Sequence, residues 1–172
     1  MNAIGRGAIG GLAGTAVMSA TMAADRALGW MTGEVPPRKI ARRAEEAAGV
    51  RGQLSRPAFE ASWVVQHFAY GAVAGVGYEL LRARVKLPEP LPSGPMYGAA
   101  LWAMSYGGWV PMAGLYPPPT EDRPERLGMI LVHHLVYGTA LAATCRWLRR
   151  GRTTPPRRGT EHEEARDAEA VE

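Results

Sequence analysis

The sequence predicts an all-α polytopic membrane protein, four transmembrane helices in a bundle. Two observations lead there. First, Lys, Arg, Asp and Glu are absent from four runs, 7–24, 61–78, 90–120 and 127–145, each 18 residues or longer. A bilayer core of about 30 Å requires roughly 20 mostly apolar helical residues, with ~17 as the lower limit. Second, glycine fills 21 of 172 positions, against a usual share of about 7%. Each interior glycine costs a water-exposed helix up to about 1 kcal/mol, whereas in lipid it lets helix backbones approach closely. A soluble Gly/Ala-rich helical bundle fits this composition less well. The expected organisation is a transmembrane domain over 1–150, with spans at about 3–24, 59–81, 95–115 and 127–148, and a disordered, charged cytoplasmic tail over 151–172.

The first span carries Ala3, Gly7, Gly11, Thr15 and Ser19 at intervals of four, with Gly10 and Gly14 beside them. On a helix this is one ridge of small residues, a repeated small-xxx-small pattern that favours close packing. Arg6 and the small residues of "SATMAAD" also fit a cleaved signal peptide, but the glycine-rich middle is a poor signal-peptide core. The following loop holds "VPPRKIARRAEEAAG". Pro37 suits a first helical position and Gly49 the position after a helix end. Ile40, Ala44 and Ala47 would share one face, opposite Arg38, Lys39, Arg42 and Arg43, giving a solvated helix or one lying on anionic headgroups.

Ser55 and Pro57 announce the second span, in which Gly71 and Gly75 continue the small-residue theme. The third follows the connector "KLPEPLPSGP" and contains Pro111, which removes a hydrogen bond to the Gly107 carbonyl. A kink or early helix end is expected at Gly107–Pro111. The fourth, "LGMILVHHLVYGTALAATCRWLRR", includes Gly138. Lysines and arginines divide 11 to 9 between the two sides, of 20 in all, which favours N-in/C-in. Trp30, Trp63 and Trp109 fall at span ends on one side and Trp147 on the other, as in an aromatic belt.

The net charge of +4 comes from basic residues that flank the apolar runs, as where juxtamembrane charge meets anionic lipid. Lipid and other membrane proteins, or further copies of the chain, are the expected partners, and nucleic acid is not. One cysteine, Cys145, excludes an intramolecular disulfide and a multi-thiolate metal site.

The chemistry-bearing feature is a repeat. His67-x-x-Tyr70-Gly71 recurs as His134-x-x-Tyr137-Gly138. Met18-Ser19 recurs as Met104-Ser105, and Pro36-Pro37 as Pro117-Pro118. The order suggests two helical hairpins related by an axis along the membrane normal. His67 and His134 would enter from one side at similar depth, so the two imidazoles could face each other. His133 has no counterpart and is the weaker candidate.

Three uses of these histidines compete. In the plainest, each neutral ring bonds a hydroxyl or carbonyl on a neighbouring span, at Thr15, Ser19, Ser105 or a tyrosine. In the second they line a proton or small-solute pathway, since imidazole changes charge near neutral pH. In the third, His67 with His134 or His133 ligates haem or a transition metal; no other cofactor is expected. No phosphate loop, Ser/His/Asp set or carboxylate pair lies inside the spans. Glu60 and Glu79 sit at helix ends and read as interfacial, so an enzyme is not expected.

The motifs "GLAGTAVMSATM" followed by "PPRKI", "HFAYGAVAGVGYELL", and a "YG…W…P" span closing with "HHLVYG" resemble the YagU-like family of small bacterial inner-membrane proteins of unknown function. The resemblance covers about residues 5–148. It implies a multi-span inner-membrane protein and supplies no catalytic residues. The expectation is a non-enzymatic role in envelope homeostasis or in pH-linked proton or solute handling, with a haem- or metal-binding redox module as the alternative.

Overall fold

The computed structural model describes residues 1–85 and 92–150, and the expected tail over 151–172 lies outside them. The chain is all-helical. Helix α1 spans Ala3–Ala27, and Asn2 starts it by accepting the Gly5 amide at 2.8 Å, which satisfies one of the amides a helix N-terminus leaves open. Helix α2, Pro36–Ala47, has both prolines in its first turn and gives way to Gly49 at φ +71°, the left-handed backbone that glycine adopts without penalty. Helix α3 covers Arg56–Arg84, capped by Ser55, whose side chain accepts the Ala58 amide.

The expected interruption of the third apolar run is present. Helix α4, Ser93–Met104, passes into a π-helical turn at Ser105–Trp109, where Gly108 leaves helical geometry (φ −123°, ψ −107°), and resumes as the short α5, Val110–Met112. Pro111 denies the Gly107 carbonyl its usual donor, and π turns are one place where helices bend sharply. Helix α6, Pro124–Arg150, completes the described chain.

Helix α1 packs between α3 and α6, and α4 packs against a neighbouring ridge of α6. Two glycine seams set these contacts. Gly7 and Gly11 meet Gly71 and Gly75; a Cβ on Gly7 would stand 2.6 Å from the Gly75 carbonyl oxygen. Gly94 and Gly98 meet Gly138 and the His134 carbonyl in the same way. On its other flank α1 offers Gly10 to Cys145 and Leu141, and Gly14 to Tyr137. The small-residue ridge is therefore a packing surface on two sides, not one. Ser19 lies at its end, where the helices part, and lines a cleft rather than a seam.

Tyrosines bridge α3 to the remaining helices. Tyr97 donates to the Ala74 carbonyl at 2.6 Å, Tyr78 pairs with Ser93 at 2.9 Å, and the Tyr78 and Tyr97 rings meet edge to face. A second core cluster gathers Tyr106, Val110, Tyr116 and Ile130 around the π turn, with Ile40 against it.

Helix α2 uses the face expected of it only in part: Ile40 packs inward, but Ala47 is exposed. Ala41 and Glu45 are its buried residues; Glu45 accepts from Ser62 and Gln66 of α3. Arg38 and Arg42 pair with Glu34, Glu46 and Glu60. Phe59 is buried between the Arg38 and Arg51 guanidiniums, 5.0 and 4.2 Å from its ring centre. A carboxylate-lined contact outcompetes a thin apolar stripe because four arginine–glutamate pairs and two cation–π contacts come with it.

Among the described residues, α1 and α6 are long and apolar enough to cross a membrane. Helix α3 has the length, but Gln66, His67 and its tyrosines dilute it; α4 is cut short by the π turn.

The Met-Ser repeat does not mark equivalent environments. Met18 is buried, whereas Met104 is 61% exposed. Ser105 turns its hydroxyl back to the Leu101 carbonyl at 2.6 Å, and Ser19 Oγ is buried with no hydrogen-bond partner.

Candidate functional site

Helix α6 presents two adjacent ridges at four-residue spacing, which organise the polar interior. His134, Gly138 and Ala142 meet Gly94 and Gly98 of α4. His133, Tyr137, Leu141 and Cys145 are buried, and all but His133 line the seam with α1. The grouping of Tyr137 with His134 inferred from the repeat therefore splits, because Tyr137 shares its ridge with His133.

His133 is the histidine with an ionisable partner. It is 2% exposed, and its Nε2 lies 2.7 Å from Asp25 Oδ2 at the C-terminal end of α1. The ring judged weaker from the sequence is thus the one that bonds across helices. His134 instead bonds its own helix, Nδ1 to the Ile130 carbonyl at 2.8 Å. His67 keeps Nε2 buried without a hydrogen-bond partner.

The hydroxyls expected to serve the histidines do not. Thr15 donates to the Gly11 carbonyl at 2.9 Å, and Ser105 likewise closes on its own helix. Short hydroxyl side chains in helices commonly bond the carbonyl one turn back. Tyr137 is buried and donates to the Gly71 carbonyl at 2.7 Å, linking the two His-x-x-Tyr-Gly motifs. Tyr70 leaves the site: it is 37% exposed and tilts against Trp109, with ring centres 6.0 Å apart.

At the opposite end of the helices, Glu79 is buried and ion-paired. It is 3% exposed and pairs with Arg6 Nε at 2.9 Å and with Arg149, joining α3 to α1 and α6. Cys145 sits beside this group, its thiol donating to the Arg6 carbonyl. The spacing could have revealed it, because Glu79 continues the four-residue ridge of His67, Gly71 and Gly75. Arg149 likewise continues that of His133, Tyr137, Leu141 and Cys145.

On the His133 side, Glu34 sits in the loop before α2 and accepts from Arg38 at 2.6 Å and from Arg42 at 3.0 Å. Burial works against its charge, but the bonds and charges of Arg42 and Arg38 outweigh it and hold the carboxyl below its usual range. Among the described residues, no group of three or more His, Cys, Asp or Glu gathers in a way that could hold a metal ion.

Fold and site define a class: an all-helical protein with two candidate membrane spans, glycine seams, and ionic groups buried at both ends of its long helices. The chain belongs to the family of unknown function DUF6789, whose model matches residues 1–155. The YagU-like resemblance and a bacterial origin rest on the sequence motifs alone. Neither a curated protein nor a solved structure matches the chain significantly.

Proposed function

We propose that this chain is a multi-pass integral membrane protein, spanning with α1, α3, the α4–α5 segment and α6 in an N-in/C-in arrangement. Its proposed role is non-enzymatic, pH-linked handling of protons or a small solute. The observation that carries the membrane reading is an inverted distribution of side chains. Ile9, Leu12 and Val17 of α1, Val65, Val73 and Leu80 of α3, Met96 and Met104 of α4, and Val132 of α6 are all exposed. Gly7, Gly11, Thr15, Glu79, Ser105 and His133 are buried. Water would demand the reverse; lipid accepts it, because tails solvate large apolar groups while close backbone contact rewards small ones. The pattern extends to α3 and α4, which are less apolar or shorter than the two candidate spans α1 and α6.

The pH-linked part rests on His67, His134 and the His133–Asp25 pair, since ionisable groups at membrane depth mark proton or ion routes by default. Reconstitution into liposomes with an interior pH dye tests it. Proton flux is expected to fall in His67→Ala and His133→Ala; rates equal to those of the unaltered protein would refute the pathway. Alkaline carbonate extraction tests the membrane reading separately, and release into the soluble fraction would refute it.

One observation favours the haem or metal alternative. His134 Nδ1 is held on the Ile130 carbonyl, the kind of second hydrogen bond that directs Nε2 toward a metal. A visible spectrum without a Soret band, together with no bound metal in elemental analysis, would remove it.

A further inference from the structure

A cleft of about 560 Å³ opens between the C-terminal half of α1, the loop leading to α2 and the start of α3. It falls in the range of small-molecule sites, about 300–1,000 Å³, and neither His67 nor His134 lines it. Resting on the membrane reading above, we infer that this cleft seats the headgroup of a phospholipid bearing a primary ammonium and a phosphate, that is, a phosphatidylethanolamine.

Charge complementarity carries the choice. The lining contributes two cations, Arg26 and Arg38, and two anions, Glu34 and Glu60, so it is neutral overall and matches a zwitterion rather than an anion. The cations differ in availability. Arg38 is engaged by both Glu34 and Glu60. Arg26 is exposed and commits Nη1 to the Gly33 carbonyl at 2.8 Å, which leaves donors of its fork for a phosphate. Glu60 has 42% of its side chain exposed; Arg38 donates to both of its oxygens and the Trp63 indole N–H to one of them at 2.8 Å, which leaves acceptor capacity on the other oxygen for an ammonium. An ammonium on this carboxylate would also lie near the Trp63 ring, which attracts cations to its face.

The floor suits the rest of the molecule. Met22 and Val35 are buried and apolar, and Ser19 Oγ, buried without a partner, supplies a hydroxyl for an ester or phosphate oxygen. Outside the cleft, exposed Val64 and Val65 continue from Trp63 along α3, a surface on which acyl chains can lie. Tryptophan at such a border is usual for the headgroup level of a bilayer.

The full chain is purified into mixed micelles holding equal phosphatidylethanolamine, phosphatidylcholine and phosphatidylglycerol, and retained lipid is quantified by mass spectrometry. Phosphatidylethanolamine is expected to be retained about tenfold over phosphatidylcholine, whose quaternary ammonium cannot donate a hydrogen bond to Glu60. Phosphatidylglycerol lacks the cation and is expected to behave like phosphatidylcholine. Ala23→Trp fills the cleft from an exposed position without removing an ion pair and is expected to abolish the preference, as is Glu60→Gln. Equal retention of the three lipids, or an undiminished preference in Ala23→Trp, would overturn the inference while leaving membrane insertion intact. Failure of the unaltered chain to enter bilayers would overturn both.

Discussion

The Tyr137 hydroxyl donates to the Gly71 carbonyl across 2.7 Å, so the tyrosine of one His-x-x-Tyr-Gly motif bonds the backbone of the other. The bond joins α6 to α3, which the Glu79–Arg149 pair also links at the other end of the helices. Tyr137→Phe is expected to lower stability in detergent by about 0.6–1.7 kcal/mol, the range measured for interhelical hydrogen bonds in membrane proteins. Tyr70→Phe should have no effect, because that ring lies at the surface. Thermal unfolding of the two variants side by side checks this, and equal losses would contradict it.

The glycine seams predict a sharp contrast among alanine substitutions. At Gly98 a new Cβ would run into the His134 carbonyl, and at Gly71 into the Thr15 hydroxyl, whereas at Gly107 and Gly128 it would meet open space. Gly98→Ala and Gly71→Ala should each cost ~1–3 kcal/mol, as overpacking does. Gly128→Ala, in helix α6, should be neutral or slightly stabilising. A ranking by helix propensity alone, with all four alike, would show that the seams do not hold the helices.

Glu79 is flanked by two arginines and nearly sealed from the surface. Glu79→Ala leaves both cations near one another without their counter-ion and should destabilise by about 3–5 kcal/mol, as breaking a buried pair does. Combining Glu79→Leu with Arg6→Met and Arg149→Met should recover most of that loss. A double- and triple-variant series in one detergent reads the coupling directly.

Acid should loosen the loop before α2. Because the Glu34 carboxyl is held below its usual range by Arg42 and Arg38, its contribution is complete above the ordinary carboxylate pKa. It is lost as pH falls through the lowered folded value. Amide exchange over residues 31–47, corrected for intrinsic rate, should rise on acidification in the unaltered chain. In Glu34→Gln it should already be raised and pH-independent. Identical profiles would count against the pairing.

The helix boundaries were legible because caps, prolines and glycines act locally: Ser55, Pro37 and Gly49 do at their positions what their chemistry dictates. The glycine ridge also announced its contacts, since only small residues recur every four positions on α1. Partners far apart in sequence were not legible. Asp25 and His133 are separated by 108 residues, and Arg149 and Glu79 by 70, and periodicity says which face a residue occupies without saying what stands opposite. The repeat misdirected attention for the same reason. It matched His67 with His134 and Tyr70 with Tyr137, yet an unequal arrangement of neighbours buries Tyr137 and leaves Tyr70 outside.

The π-helical turn at Ser105–Trp109 works as a phase shift in the chain. It accommodates one residue more than a regular turn, and one residue is worth about 100° of rotation on an α-helix. Everything after it is dialled round relative to α4. Val110 thereby reaches the cluster of Tyr106, Tyr116 and Ile130. Removing Gly108 would take the extra residue out of the turn before Pro111, yet swing Val110 off that cluster and carry Tyr116 away from Arg126, whose guanidinium donates to its hydroxyl. A shorter, more regular chain would thus be the less stable one.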